Sequence, residues 1–308
     1  MTAAPPAGRE LRFGVSLPPR AAVALGGHLE LVEAAEAGGL ELAGIMDHPY
    51  LARDHDTLSL LAFLLARTER LRFFPDVAAL PLRPPAMLAK AMASLDVLSD
   101  GRVELGIGAG GYWDRIHGFG GERRDARDAL AALEEAIPLI RAIWSGAADD
   151  RLDGRFYHLD VARTGPRPAH PIGIWVGAVG PRAFRLTGRL ADGWAAPIPS
   201  YLPYEAWADA QRTIDESARA AGRDPSRITR IAQLVGTITD DPGPEWTGTG
   251  ADPIRAGAEQ WAAILTHLHQ HVGFDSFVFW PERATVEQIE RFARQVAPST
   301  RRLITDRG

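Results

Sequence analysis

The sequence predicts an α/β fold of the (β/α)₈ TIM-barrel type, with insertions after strands 4 and 7. Three observations predict it: eight short apolar runs, an amphipathic segment after each, and no break in composition along 308 residues. A doubly wound sheet usually has fewer strand–helix pairs per domain, and a second domain would need a linker that is not found. We therefore read residues 1–308 as a single domain, with a flexible N-terminus over residues 1–10.

The first strand is expected over Arg12–Leu17 (RFGVSL), followed by a helix from about Gly27 to Gly38 with Leu29, Val32 and Ala35 near helical spacing. Glu41–Met46 is the second strand. Asp56 or Thr57 is placed to cap the helix Thr57–Thr68. Leu71–Leu80 and Ala86–Ser99 form the third pair. The fourth strand, Arg102–Ile107, runs into a glycine-rich loop that continues through Tyr112–Glu122 before a long helix over about Ala126–Trp144. Gly146–Pro171 reads as an excursion carrying a small hairpin near Arg155–Leu159. Pro171–Gly177, Asp192–Ala196, Ile228–Thr239 and Phe274–Trp280 are strands five to eight. Their helices fall near Pro181–Leu190, Tyr204–Ala221, Pro253–His271 and Val286–Val296. The polar, glycine-rich loop Asp240–Asp252 is either a lid or an insertion.

Composition narrows the chemistry. Apolar residues make up 46% and charged residues 24%, which does not describe a disordered chain. Lys and Arg number 34 against 39 Asp and Glu, a net charge of −5, which argues against nucleic acid or an anionic membrane as the partner. No Cys is present, which excludes disulfides, cysteine-ligated metals and a thiolate nucleophile. The Ala/Pro-rich start does not read as a secretory signal, and no apolar run is long enough to span a bilayer, so a cytoplasmic location is expected. The partner implied is a small-molecule substrate.

In such a barrel, sites form at the C-terminal strand ends. Asp47 and His48 leave strand two together, and a histidine near neutrality can move protons. A loop histidine bonded to a carbonyl is the plainer reading, and Asp47 can orient the imidazole or cap a turn. Gly106, Gly108 and Gly111 match G-x-G-x-x-G, but a dinucleotide fold needs a helix opening at the third glycine, where a loop is expected. The glycines, Gly110 among them, instead let backbone approach a flat ring, or serve a flexible turn. Gly177, Ala178, Val179 and Gly180 precede a helix start at Pro181, an arrangement suited to a phosphate. Tight-turn glycines alone account for it equally. Tyr50, Tyr112, Trp113, Trp194 and Trp280 can wall an apolar substrate pocket, or be core. Asp54, His55 and Asp56 diverge at a helix start, and His267, His269 and His271 lie on an outer helix, so no metal site is expected.

With these residues in place the chain resembles the luciferase-like monooxygenase superfamily, whose barrels use FMN or the deazaflavin F420. The likeness runs from RFGVSLPP at Arg12–Pro19 to FDSFVFWP at Phe274–Pro281. It is most specific in LPLRPPAMLAKAMASLDVLSDGRVELGIGAG (Leu80–Gly110) and PIGIWVGAVGPRAFRLTGRLADGWAAP (Pro171–Pro197). The resemblance implies a bulge of strand three within Asp76, Val77, Ala78 and Ala79, often with a non-prolyl cis peptide, behind the cofactor ring. It implies a phosphate cradle at Gly177–Gly180 and ring contacts at Gly106, Gly108 and Gly110. It also implies a catalytic Asp47–His48 pair as in F420-using members, and a homodimer. F420 is favoured over FMN on that pair. Ala109 and Ala52 stand where the sugar-phosphate dehydrogenases of the family carry glutamate and tryptophan, which argues against glucose 6-phosphate. The expected reaction is hydride transfer between F420 and a small organic molecule. An FMN monooxygenase activating oxygen and a cofactor-binding barrel without turnover are the alternatives.

Overall fold

The computed structural model describes residues 10–21, 25–146, 148–163 and 165–306. Eight staves are arranged in a parallel barrel: β1 (Arg12–Leu17), β2 (Leu42–Ile45), β3 (Arg72–Pro75) continued by β4 (Ala78–Ala79), β5 (Leu105–Gly108), β8 (Ile174–Val176), β9 (Gly193–Ala195), β10 (Thr229–Thr239) and β12 (Ser276–Pro281). Their order is β3-β2-β1-β12-β10-β9-β8-β5-β4, every pair parallel. Phe73 closes the ring on the fourth stave: its amide donates to the Arg102 carbonyl at 2.9 Å, and its carbonyl accepts from the Glu104 amide at 2.9 Å. The expected strand Leu71–Leu80 is thus two pieces, broken at a cis Asp76–Val77 peptide inside the expected bulge.

Alternation along each stave sorts its side chains, one set inward and the next toward the helices. Inward, Leu42, Phe74, Trp175, Ala195, Ile231 and Val278 fill the barrel centre. Phe74 and Trp175 pack edge to face at 5.1 Å. Glycines make room for them: a Cβ at Gly44 would sit 2.8 Å from the Phe74 ring, and one at Gly193 would sit 2.5 Å from Trp175. This plug makes the barrel a packed core with a floor just below its C-terminal mouth. Outward residues such as Phe13, Val15, Leu105, Ile107, Trp194 and Phe279 pack against the helical ring.

That ring is α1 (Leu25–Ala37), α2 (Thr57–Leu65), α3 (Pro85–Leu98), α5 (Ala126–Ser145), α6 (Pro181–Leu190), α7 (Trp207–Ala220), α8 (Ala258–His267) and the C-terminal α9 (Val286–Arg291) and α10 (Ala297–Thr305). Asp56 caps α2, accepting the Ser59 amide at 2.9 Å. The fourth stave is followed by the short α4 (Trp113–Gly118), where a loop was expected; with only one turn and a half, it does not make the glycines a dinucleotide motif. The hairpin is β6 (Ala148–Asp153) with β7 (His158–Arg163), longer than expected. After the seventh stave, β11 (Ile254–Gly257) pairs with β10, so the helix expected from Pro253 starts at Ala258. The segment ahead of it is pinned: Trp246 packs edge to face on Tyr204 at 5.5 Å. The last helix continues well past Val296, to Thr305, through a π-helical turn at Phe292–Val296. Residues 1–9 of the expected flexible N-terminus lie outside the described residues. Among the described residues no helix is long and apolar enough to cross a membrane.

Candidate active site

The top inward layer bounds a cavity of about 990 Å³, counting its open mouth. Met46, Asp76, Val77, Gly108, Gly177, Gln233 and Trp280 form its floor and lower wall, and His48, Tyr50, Tyr112, Ile116, Ile198 and Tyr201 form its rim. Loops after the second, fourth and sixth staves therefore converge on one opening.

His48 is half-buried. Its Nδ1 shares a 2.7 Å hydrogen bond with the Tyr50 hydroxyl, and its ring meets Tyr112 edge to face at 5.6 Å. Nε2 has no protein partner among the described residues. Burial pulls the imidazole pKa below its usual value, against the opposing pull of Asp47 and Asp54, so the ring is neutral at pH 7 and able to accept a proton. Burial pushes the Tyr50 hydroxyl above its usual range, keeping it protonated. Across the mouth, the Tyr112 and Tyr201 hydroxyls meet at 2.5 Å.

Of the two roles open to Asp47, orienting the imidazole is not the one seen: among the described residues it makes no hydrogen bond to His48. Its buried carboxylate accepts the Ala79 amide at 2.8 Å and two guanidinium bonds from Arg83, each 2.6 Å, while Arg83 also reaches Asp56 at 2.6 Å. Asp47 and Arg83 thus tie the second stave's loop to β4 and to the cap of α2. Arg83 lies 36 residues from Asp47, and nothing local in the sequence marks the pair.

Stave three lines the cavity with Asp76, Val77, Ala78 and Ala79. Asp76 Oδ1 accepts the Gln233 side-chain amide at 2.8 Å, and Oδ2 has no partner among the described residues. The Trp280 indole N–H, on the same cavity, is buried and likewise unpartnered.

The glycines divide. Gly108, Gly110 and Gly177 line the cavity. Gly106 lies beneath it: a Cβ there would meet the Pro75 carbonyl at 2.1 Å, so its role is to let stave three pass. Ala178 is buried, its carbonyl accepting the Trp194 indole N–H at 3.3 Å. Trp194 is not a pocket residue either. Its neighbours Gly193 and Ala195 face the barrel interior, so it faces outward and packs between Phe184 and Phe274. Trp113 belongs to a second hollow next to the first. That hollow shares Ala109, Gly110, Gly177 and Val179 with the main cavity and ends at Gly180, Pro181 and Arg182. There α6 begins after Gly180 (φ 87°), with no side chain capping its free amides. Met46, Ile116, Ile198, Tyr201, Gln233 and Arg83 were not expected from sequence. The inward phase of β10 marks Gln233, whereas the loop residues carry no such signal.

A cavity among the strand ends adjoins a hollow at an uncapped helix N-terminus, an arrangement suited to an apolar body beside an anionic group. The chain belongs to the luciferase-like monooxygenase family, whose sequence profile it matches over residues 11–293. It is 32% identical over 257 residues to an F420-dependent glucose-6-phosphate dehydrogenase of Nocardia farcinica, covering 80% of this chain and 76% of the relative. It is 33% identical over 222 residues to an F420-dependent hydroxymycolic acid dehydrogenase of Mycobacterium tuberculosis, covering 68% and 58%. Its fold superposes with a TM-score of 0.80 on an F420-dependent secondary alcohol dehydrogenase in complex with an F420–acetone adduct, at 18% identity over 94% of this chain and 99% of that one.

Proposed function

We propose that this protein is an F420-dependent oxidoreductase that moves a hydride between the deazaflavin and an uncharged small alcohol or carbonyl compound. The observation that carries the reading is that the main cavity and the hollow at the α6 N-terminus adjoin, with Ala109, Gly110, Gly177 and Val179 lining both. The residues present fit the cofactor. Val77–Ala79, Gly108, Gly110 and Gly177 leave a wall without bulky polar side chains, and two residues of the same cavity each carry a buried polar atom without a partner among the described residues, Asp76 Oδ2 and Trp280 Nε1. Val179, Gly180, the free amides of α6 and Arg182 would receive the phosphate. When bound, F420 supplies the carbon that accepts or gives up the hydride.

The chain supplies the rest. His48, neutral and open at Nε2, takes the proton of a substrate hydroxyl during oxidation or returns one to a carbonyl oxygen during reduction. Tyr50 fixes the ring plane of His48 through its hydroxyl. Tyr112, Tyr201, Ile116 and Ile198 narrow the mouth and exclude water. No Lys or Arg is among the described residues lining the main cavity, so a phosphorylated sugar finds no counter-charge there. A secondary alcohol or ketone with an apolar body fits that wall.

The test is to mix the protein with reduced F420 and a panel of ketones, and with oxidised F420 and a panel of alcohols and glucose 6-phosphate, following the cofactor's absorbance. Turnover with uncharged substrates is expected. His48→Ala should lower kcat by roughly 10²- to 10⁴-fold and leave F420 affinity unchanged. Uptake of FMN but not F420 would overturn the cofactor, and glucose 6-phosphate as the best substrate would overturn the substrate class.

A further inference from the structure

Two buried carboxyls line the main cavity, Asp47 and Asp76; Asp47 is taken up by Arg83, and Asp76 has no such partner. Asp76 is only 8% exposed, yet it lines the cavity. The inward phase of stave three, shared with Phe74 one layer below, aims it into the top layer, where Gln233 from β10 holds one oxygen at 2.8 Å. The other oxygen is shut off from solvent and unpartnered among the described residues. An ionised carboxylate in that position would have a lone neutral amide as its partner, which is a poor exchange for water. A carboxylic acid there has a hydrogen left to donate.

We propose that Asp76 is the second proton-holding residue of this pocket, keeping a proton on its free oxygen for the bound deazaflavin while His48 serves the substrate oxygen. The inference rests on the F420 reading. Oxidation of an alcohol by F420 moves two electrons and two hydrogens. The carbinol C–H bond breaks and its electron pair travels with the hydride, the O–H proton departs separately, and the reduced cofactor carries one added proton besides the hydride. One proton therefore leaves at the substrate oxygen and one arrives at the ring, at two places, and reduction of a ketone runs both transfers backward. The pocket has a titratable group for each: His48 at the rim and Asp76 on the floor. A deprotonated Asp76 takes its next proton from solvent before the following turnover.

The surroundings of Asp76 support a neutral acid. β2 presents Gly44, whose absent Cβ would lie 3.0 Å from Oδ2; β3 presents Phe74, β10 presents Gln233, and β12 presents Trp280. None of these is charged. The nearby Asp47 is neutralised by Arg83, His48 is neutral, and Tyr50 and Tyr201 are held protonated by burial. Burial pushes the Asp76 carboxyl up to about 7, only partly opposed by the hydrogen bond from Gln233.

Infrared titration of the ligand-free protein tests the acid directly. A protonated-carboxyl band with a midpoint at about pH 7, absent in Asp76→Asn, is expected. Gln233→Leu should move that midpoint upward, because the amide favours the charged form. A midpoint near the ordinary value of about 4 overturns the proposal. Fluorescence titration of F420 then tests what the proton does. Wild-type affinity should fall as pH rises above the midpoint, approaching tenfold per unit, and Asp76→Asn should bind with no such step. Equal pH dependence in both proteins overturns the proposal. If neither takes up F420, the cofactor reading falls, and the infrared midpoint still decides whether Asp76 is a neutral acid.

Discussion

The two ends of the barrel use the same residue types to opposite effect. At the N-terminal end, Asp96 accepts the His170 ring at 2.7 Å and the His170 amide at 3.0 Å, while Glu104 accepts the Gly173 amide at 2.6 Å and faces Arg72 at 3.5 Å. Burial alone would raise Asp96, but the His170 ring and amide overcome it and hold the carboxyl below its ordinary value. The hydrogen bonds to Asp96 and Glu104 push His170 up to about 9. At the mouth, Asp76 has one neutral partner and His48 has a tyrosine, so burial drives both toward their neutral forms. At the lower end Asp96 and His170 are held charged by each other, which serves stability. At the upper end, beside the ion-paired Asp47, Asp76 and His48 are driven toward neutrality and keep unused hydrogen-bonding atoms, which leaves capacity for a ligand and for protons.

The largest effect that breaks this contrast is expected at the lower end. His170→Ala leaves the buried Asp96 carboxylate without its ring partner and should cost about 3 kcal/mol in denaturant unfolding, with kcat unchanged. The His170 contribution follows from its raised pKa. It is complete below the unfolded-state value of about 6.5 and is lost as pH rises through about 9, so wild type and His170→Ala should converge in stability toward high pH. At the upper end the sign reverses. Asp76 is favoured as the neutral acid, so its carboxyl does no harm below about pH 4 and destabilises increasingly up to about pH 7. Asp76→Asn should therefore raise the melting temperature above pH 7 and leave it unchanged near pH 4. The smallest effect is expected at the rim: Tyr201→Phe removes an exposed hydroxyl contact with Tyr112 and should cost under about 1 kcal/mol, with a change of a few-fold in KM.

The barrel was legible because each stave is a short apolar run and each helix has its own period, signals that need no knowledge of distant contacts. His48 and the glycines of the fourth and fifth staves were legible because chain order places them at strand ends. Long-range pairings were hidden. Asp47 reads as a partner of His48 until Arg83 arrives from 36 residues away, and Asp76 meets Gln233 across 157. The sequence leaves Trp194 open between pocket and core, because composition marks an aromatic at a strand end without saying which face it takes. The pleat of a three-residue strand decides that, turning Ala195 toward the cavity and Trp194 toward α6. β11 escaped notice because Ile254–Gly257 alternates only over four residues beside a glycine-rich loop.

The proposed seat of the cofactor runs from the mouth over Val179 to the start of α6. Val179 is 52% exposed and lines both hollows, so a carboxylate there should repel an anionic tail without disturbing the core. Fluorescence titration of F420 with wild type and Val179→Asp probes that seat. Saturable binding by wild type, weakened at least about tenfold in the variant, is the expected result. Equal affinity in the two proteins, or no binding by the wild type, would contradict it.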